Sequence, residues 1–168
     1  ATLRDALAPL RSTTAFAVRS AVSANENVFT ATASGAIAPG TYDVEVASLA
    51  SAHRLASAAF AAGGGAYVGS GTLTIAVGGS AFSIEVPSDT ATLADIRNSI
   101  NASTGNTGVT ASIINEVGGS RLMLAARQTG AGTTIEVTQS GGDGGLAALT
   151  FDPAAPLAGG LTQTTAAT

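Results

Sequence analysis

The chain has 168 residues, a formal net charge of −4, only 11% charged residues, 21 Gly, seven Arg, no Lys and no Cys. It therefore lacks the basic footprint that phosphate neutralisation requires, the thiols of disulfides and Cys-ligated zinc, and an 18-residue apolar run that could span a membrane. Hydrophobic residues reach 45%, yet 36 of the residues are Ala, so the core of one or two small domains has to be thin.

The chain begins at Ala1 with neither Met nor a charged-then-apolar leader, so these residues are expected to hold no signal peptide. Leu3, Ala6, Leu7 and Leu10 fall on one helical stripe, and Pro9 stops or kinks it; residues 1–15 read as the end of a longer helix. Phe16, Val18 and Val22 share one face of an extended run, SANEN (23–27) is turn-forming, and 28–34 resumes as β, which together predict a hairpin. In TYDVEV (41–46), Tyr42, Val44 and Val46 alternate with Thr41, Asp43 and Glu45, the pattern of a half-buried strand. Residues 16–60 thus form a first β-rich domain. AAGGGAYVGSG (61–71) is read as a Gly-rich linker.

A second domain is expected over 72–140. Leu73, Ile75 and Val77 alternate, Gly78-Gly79 makes a two-residue turn, and Phe82, Ile84 and Val86 alternate again. Thr92 and Asp95 match a capping box ahead of a helical stripe of Leu93, Ile96 and Ile100. Strands follow at Val109–Ile113, Leu122–Leu124 and Ile135–Val137, for the order β-β-α-β-β-β. Residues 141–168 are expected to be a return segment or tail with little structure of their own. The fold class is mainly β, a β-rich α+β chain of two small antiparallel β domains, the second with one helix packed on its sheet.

Candidate chemistry is sparse. His53 is the only histidine; it has no carboxylate within six residues, and no G-x-S-x-G elbow supplies a nucleophile, so it reads as an ordinary surface or interface residue. Asp43 and Glu45 share a strand face, which suits a solvated surface better than an acid/base pair. GDGGLA (142–147) fits a loose dinucleotide fingerprint, but too little chain follows to supply the helix and the returning parallel strand, so a Gly-rich linker is the better reading. NAS (101–103) is a formal glycosylation sequon. No enzyme, cofactor or metal site is expected.

One pattern stands out. GTYDVEVASLASAHRLASAAF (40–60) resembles the N-terminal region of the bacterial flagellar filament-capping family, also called flagellar hook-associated protein 2, with Gly40, Tyr42, Val44, Val46, Leu49, Ala50, Ser57 and Phe60 in matching places. The second domain resembles the flagellin hook IN motif: GTLTI (71–75), then Leu93, Ile96, Ile100 and Asn101 on a helix, then strands that open at Val109. The matching residues, Gly40, Tyr42, Val44, Val46, Leu49, Leu93, Ile96, Ile100, Asn101 and Val109, read as fold residues. Gly40 supplies turn chemistry, Tyr42 a core aromatic, and Asn101 a helix terminus.

The resemblance implies a structural subunit of the filament cap: a homo-oligomeric ring at the filament tip, outside the cell, that guides flagellin into the lattice. It implies flagellin, copies of itself and hook–filament junction proteins as partners, no nucleic acid or membrane, and export without a cleaved signal. The fragment itself is expected to be monomeric once removed from the stalk coiled coil. Rival readings are a flagellin-like or other hook-associated outer domain, and a surface adhesin that binds host mucin or glycan, which two Tyr and no Trp support poorly.

Overall fold

Alternation of apolar and polar residues decides most of the architecture. In the computed structural model the described residues are 19–34, 37–88, 91–106 and 108–168. The expected helix over 1–15, together with Phe16 and Val18, lies outside them. The chain divides into two compact units, 1–46 and 47–168.

In the first unit, SANEN does turn: the Ser23 hydroxyl accepts from Asn25 N (3.2 Å), and Asn25 Oδ1 accepts from Asn27 N (3.1 Å). The flanking strands do not form among the described residues; 19–34 and 37–46 carry no ladder. Val22 is 82% exposed and Tyr42 79%, so the alternating stripe of 41–46 buries nothing in this structure. Alternation gives a segment a face, but a strand also needs a neighbour to complete its hydrogen bonds.

The second unit contains, in order, β1 (Arg54–Ser57), β2 (Gly71–Val77), β3 (Ser80–Val86), α1 (Leu93–Ala102), β4 (Val109–Glu116), β5 (Gly119–Ala126), β6 (Ile135–Ser140) and β7 (Leu161–Thr165). Every named pairing is antiparallel, and two sheets result: β4-β5-β1-β7 and β3-β2-β6. The chain is thus strand-rich, as its alternation indicates, with a single α-helix among the described residues. The strands of 72–140 do not make one sheet. They are shared between two, because β1 and β7 join the β4–β5 hairpin from both ends of the unit.

The β2–β3 turn closes between Val77 and Ser80, with both Gly78 (φ +59°) and Gly79 (φ +80°) left-handed, the backbone that matches strand twist. At the start of α1, the Thr92 hydroxyl accepts from Asp95 N (3.2 Å) while the Asp95 carboxylate accepts from Thr92 N (3.3 Å), a complete capping box. Leu93, Ile96 and Ile100 turn inward, and one core joins them to Leu55, Leu73, Ile75, Leu124, Ile135 and Phe151.

Two stretches differ from their sequence reading. Residues 61–71 are not a linker: Ala66 and Val68 are buried, and Val68 N and Leu93 N are hydrogen-bonded across the segment to Ala91 O and Ala66 O. Nor is 141–168 a loose tail. It supplies Leu146, Leu149, Phe151 and Leu161, all fully buried, and the strand β7. Their glycines serve close packing of backbone on backbone: a Cβ at Gly69 would lie 2.6 Å from Gly145 Cα, and one at Gly142 would run into Ser70 O.

Ser51 and Thr168 meet. Ser51 N donates to Thr168 O (3.0 Å), Thr168 N to Ser51 O (3.3 Å), and the Ser51 hydroxyl to Ala166 O (2.6 Å).

Candidate functional site

Two asparagines, Asn101 and Asn106, meet the open edge of β4. Strand β4 borders its sheet, so alternate peptide groups point away from β5. Helix α1 brings Asn101 beside them: its Nδ2 donates to Ala111 O (2.7 Å) and its Oδ1 accepts from Ala111 N (2.9 Å). Two residues nearer the strand start, buried Asn106 repeats the arrangement. Its Nδ2 donates to Val109 O and Ile100 O (2.9 Å each), and its Oδ1 accepts from Val109 N (2.9 Å) and Gly108 N (3.3 Å). A side-chain amide has the donor and acceptor of a peptide group, so the two asparagines stand where a neighbouring strand would pair. Asn101 was expected to end the helix by left-handed backbone or local bonding. It has no positive φ and bonds the strand instead. As a sequon it holds an amide engaged at both atoms.

A second polar cluster lies where 67–70 meets 143–145. Asp143 Oδ1 accepts from Ser70 N (3.0 Å) and Gly145 N (2.9 Å), while Oδ2 accepts from the Tyr67 hydroxyl (2.8 Å). The Gly145 and Ser70 amides, then Tyr67, hold the Asp143 carboxyl below the usual aspartate range. The same hydrogen bond, helped by partial desolvation and the carboxylate charge, raises the Tyr67 phenol.

His53 corrects its surface reading. It is 1% exposed, its Nδ1 accepts from Ile135 N (3.0 Å), its Nε2 faces Gln163 Oε1 (3.2 Å), and its ring lies 5.5 Å from that of Phe151. An Nδ1 that accepts leaves the proton on Nε2, so the ring is the neutral tautomer bridging β6 and β7. Both nitrogens are committed to structure. No group of three or more His, Asp or Glu able to hold a metal occurs among the described residues, and none of their helices is long and apolar enough to cross a membrane.

The motif residues fall into two sets. Leu93, Ile96, Ile100 and Val109 are at most 1% exposed and build the core, with Asn101 at the edge beside them. Gly40, Tyr42, Val44, Val46 and Leu49 lie elsewhere: Gly40 sits against the Tyr42 ring, and the other four are exposed. Asn106, His53, Tyr67 and Asp143 were missed. Asn106 and Asp143 sit in turn-rich STGNTG and GGDGG, where an isolated polar residue between glycines was the available signal.

The outward sheet faces differ in charge. Arg54 pairs with Ala125, which pairs in turn with Thr110; Arg121 ion-pairs with Glu116, and Arg127 Nε donates to Thr110 Oγ1 (3.3 Å). Three of the four arginines of 47–168 therefore share the outer face of the four-stranded sheet. The outer face of the three-stranded sheet carries Glu85, opposite Thr72, and Glu136, opposite Ala76.

This fold, two antiparallel sheets and one capped helix around a common core, is similar to that of solved flagellar cap protein structures. A crystal structure of FliD (HAP2) from Pseudomonas aeruginosa superposes with a TM-score of 0.66 at 38% identity, covering 80% of this chain and 63% of that one. The D1-D2-D3 domains of the flagellar cap protein FliD from Escherichia coli give 0.64 at 28% identity, covering 71% and 34%. Residues 1–53 match the family model for the flagellar hook-associated protein 2 N-terminus, and 72–128 that for the flagellin hook IN motif. The chain is 40% identical over 156 residues to the B-type flagellar hook-associated protein 2 of Pseudomonas aeruginosa, and 37% over 137 residues to the polar flagellar hook-associated protein 2 of Vibrio parahaemolyticus. These alignments cover 90% and 82% of this chain but only 33% and 20% of the relatives. The chain is thus a homologue of flagellar hook-associated protein 2, with which it shares the stretch that carries both motifs.

Proposed function

We propose that this chain is the outward head of a flagellar filament cap, a structural element that promotes flagellin assembly at the filament tip. The observation that carries the reading is the 40% identity to a hook-associated protein 2 across nine tenths of the chain. The geometry agrees with a steric role: the one histidine is locked into the core, and the polar clusters are satisfied within the fold. In this reading Leu93, Ile96, Ile100, Asn101 and Val109 shape the head, while Gly40, Tyr42, Val44, Val46 and Leu49 belong to the segment that joins it to the stalk. The partners are flagellin, further copies in a ring, and the hook–filament junction on which the cap is first seated. The site of action is the extracellular filament tip, reached by export without a cleaved signal.

Deletion of the gene that encodes the chain in its source organism tests this. The expected outcome is hooks without filaments, with monomeric flagellin in the medium. Filaments of normal length would sink the proposal and favour a flagellin-like outer domain.

A further inference from the structure

We infer that successive heads dock face to face, the arginine face of the four-stranded sheet on one copy lying against the glutamate face of the three-stranded sheet on the next. The inference rests on the ring of the proposed function and says which surfaces close it. Its first support is charge. Arg54, Arg121 and Arg127 share one sheet face with Glu116 as its only acid, whereas every other charged residue of 47–168 is acidic except Arg97. Glu85 and Glu136 stand on the other outward sheet face, which has no cation.

The second support is relief. Between the charges, one face shows Thr110, Ser112, Ile114, Met123 and Ala125, and the other Thr72, Thr74, Ala76, Ser83 and Thr138. The glutamate face is built of short side chains, while on the arginine face Ile114, 49% exposed, and Met123 add apolar area that sheet-on-sheet packing at about 10 Å would cover. Because the two faces differ, the contact is heterologous, and repetition gives a closed ring or an open helix instead of a two-fold dimer. Three strands of six or seven residues cover about 300–400 Å², well under the roughly 800 Å² per partner of a standard stable interface. A single contact is therefore weak, with a dissociation constant on the order of 1 mM, and holds only where several act together. Electrostatic complementarity then sets orientation more than affinity.

The test is amide NMR of the 168-residue chain over a concentration series from about 0.1 to about 2 mM. Concentration-dependent shifts are expected on β1, β2, β3, β5 and β6. They should weaken roughly tenfold as added salt shrinks the Debye length from about 30 Å to about 3 Å. Arg54→Glu/Arg127→Glu and Glu85→Arg/Glu136→Arg should each lose the association alone and regain it when mixed, since each retains the face that the other needs. These exposed substitutions leave the core untouched, so folding is checked by unchanged core amide shifts. No concentration dependence, shifts confined to the β3 edge or the β7 edge, or failure of the mixture to recover would overturn the inference. A cap-less deletion phenotype alongside any of those results would leave the proposed function standing and remove only this contact.

Discussion

Asp143 makes three hydrogen bonds through one exposed carboxylate and ties together two segments more than seventy residues apart. Its folded pKa lies below the unfolded value, so its contribution is fully present above the ordinary aspartate range, near about 4, and is lost as pH falls through the depressed folded value. Tyr67 acts with the opposite sign: its raised phenol contributes below about 10 and fades as pH rises through the folded value. Urea midpoints of the wild type and Asp143→Asn should therefore differ at pH 7 and converge on acidification below about 4. A gap that stays constant down to pH 2 would mean the carboxylate charge plays no part. None of this was legible in SGGDGG, which reads as a spacer. His53 was equally opaque, because nothing local in ASAHRLAS announces that Ile135 and Gln163, 82 and 110 residues onward, will take both its nitrogens.

At the scale of elements, the helix does two things: it fills the core with Leu93, Ile96 and Ile100, and it closes the β4 edge with an asparagine. An uncovered edge would offer its peptide groups to any passing strand. Asn106→Ala strands the buried peptide groups of Val109 and is expected to cost about 2–3 kcal/mol; Asn101→Ala, nearer solvent, about 1 kcal/mol. Asn101→Asp should cost more than Asn101→Ala, since a second acceptor then confronts Ala111 O. Denaturant unfolding of the three variants checks the order, and an aspartate as good as the amide would refute the strand-mimic role. The core strands of 72–140 and the capped helix were readable because period-2 alternation and a capping box are local. The sheet to which each strand belongs was not, since β1 (RLAS) and β7 (LTQTT) show little alternation and pair across more than a hundred residues. Conversely 41–46 alternates cleanly yet has no ladder among the described residues. Pattern signals a face, and only a partner makes a strand.

For the molecule as a whole, the fully buried large side chains among the described residues belong to 47–168, from Leu55 to Leu161. That unit contains both named sheets, the helix and the complete core cluster, so a fragment of 47–168 should fold on its own. Its urea midpoint and slope should match those of the 168-residue chain, measured by circular dichroism. A much lower midpoint would show that the first unit supports the second. The domain division read from sequence placed a flexible joint at 61–71 because glycine clusters usually mark linkers. Here the same glycines let backbones touch, and the compact unit begins at Ala47.

The pairing of Ser51 with Thr168 gives this unit a property of a plug-in module. Ser51 and Thr168 lie side by side and exchange backbone hydrogen bonds, so the two chain segments that pass through them run next to each other. Spliced into an exposed hairpin turn of an unrelated β-protein, 49–168 would ask of its host a gap no wider than adjacent strands, about 5 Å. Over evolutionary time such a module can be enlarged, trimmed or replaced without moving whatever carries it. The surface shown to the outside can then change quickly while its support stays the same.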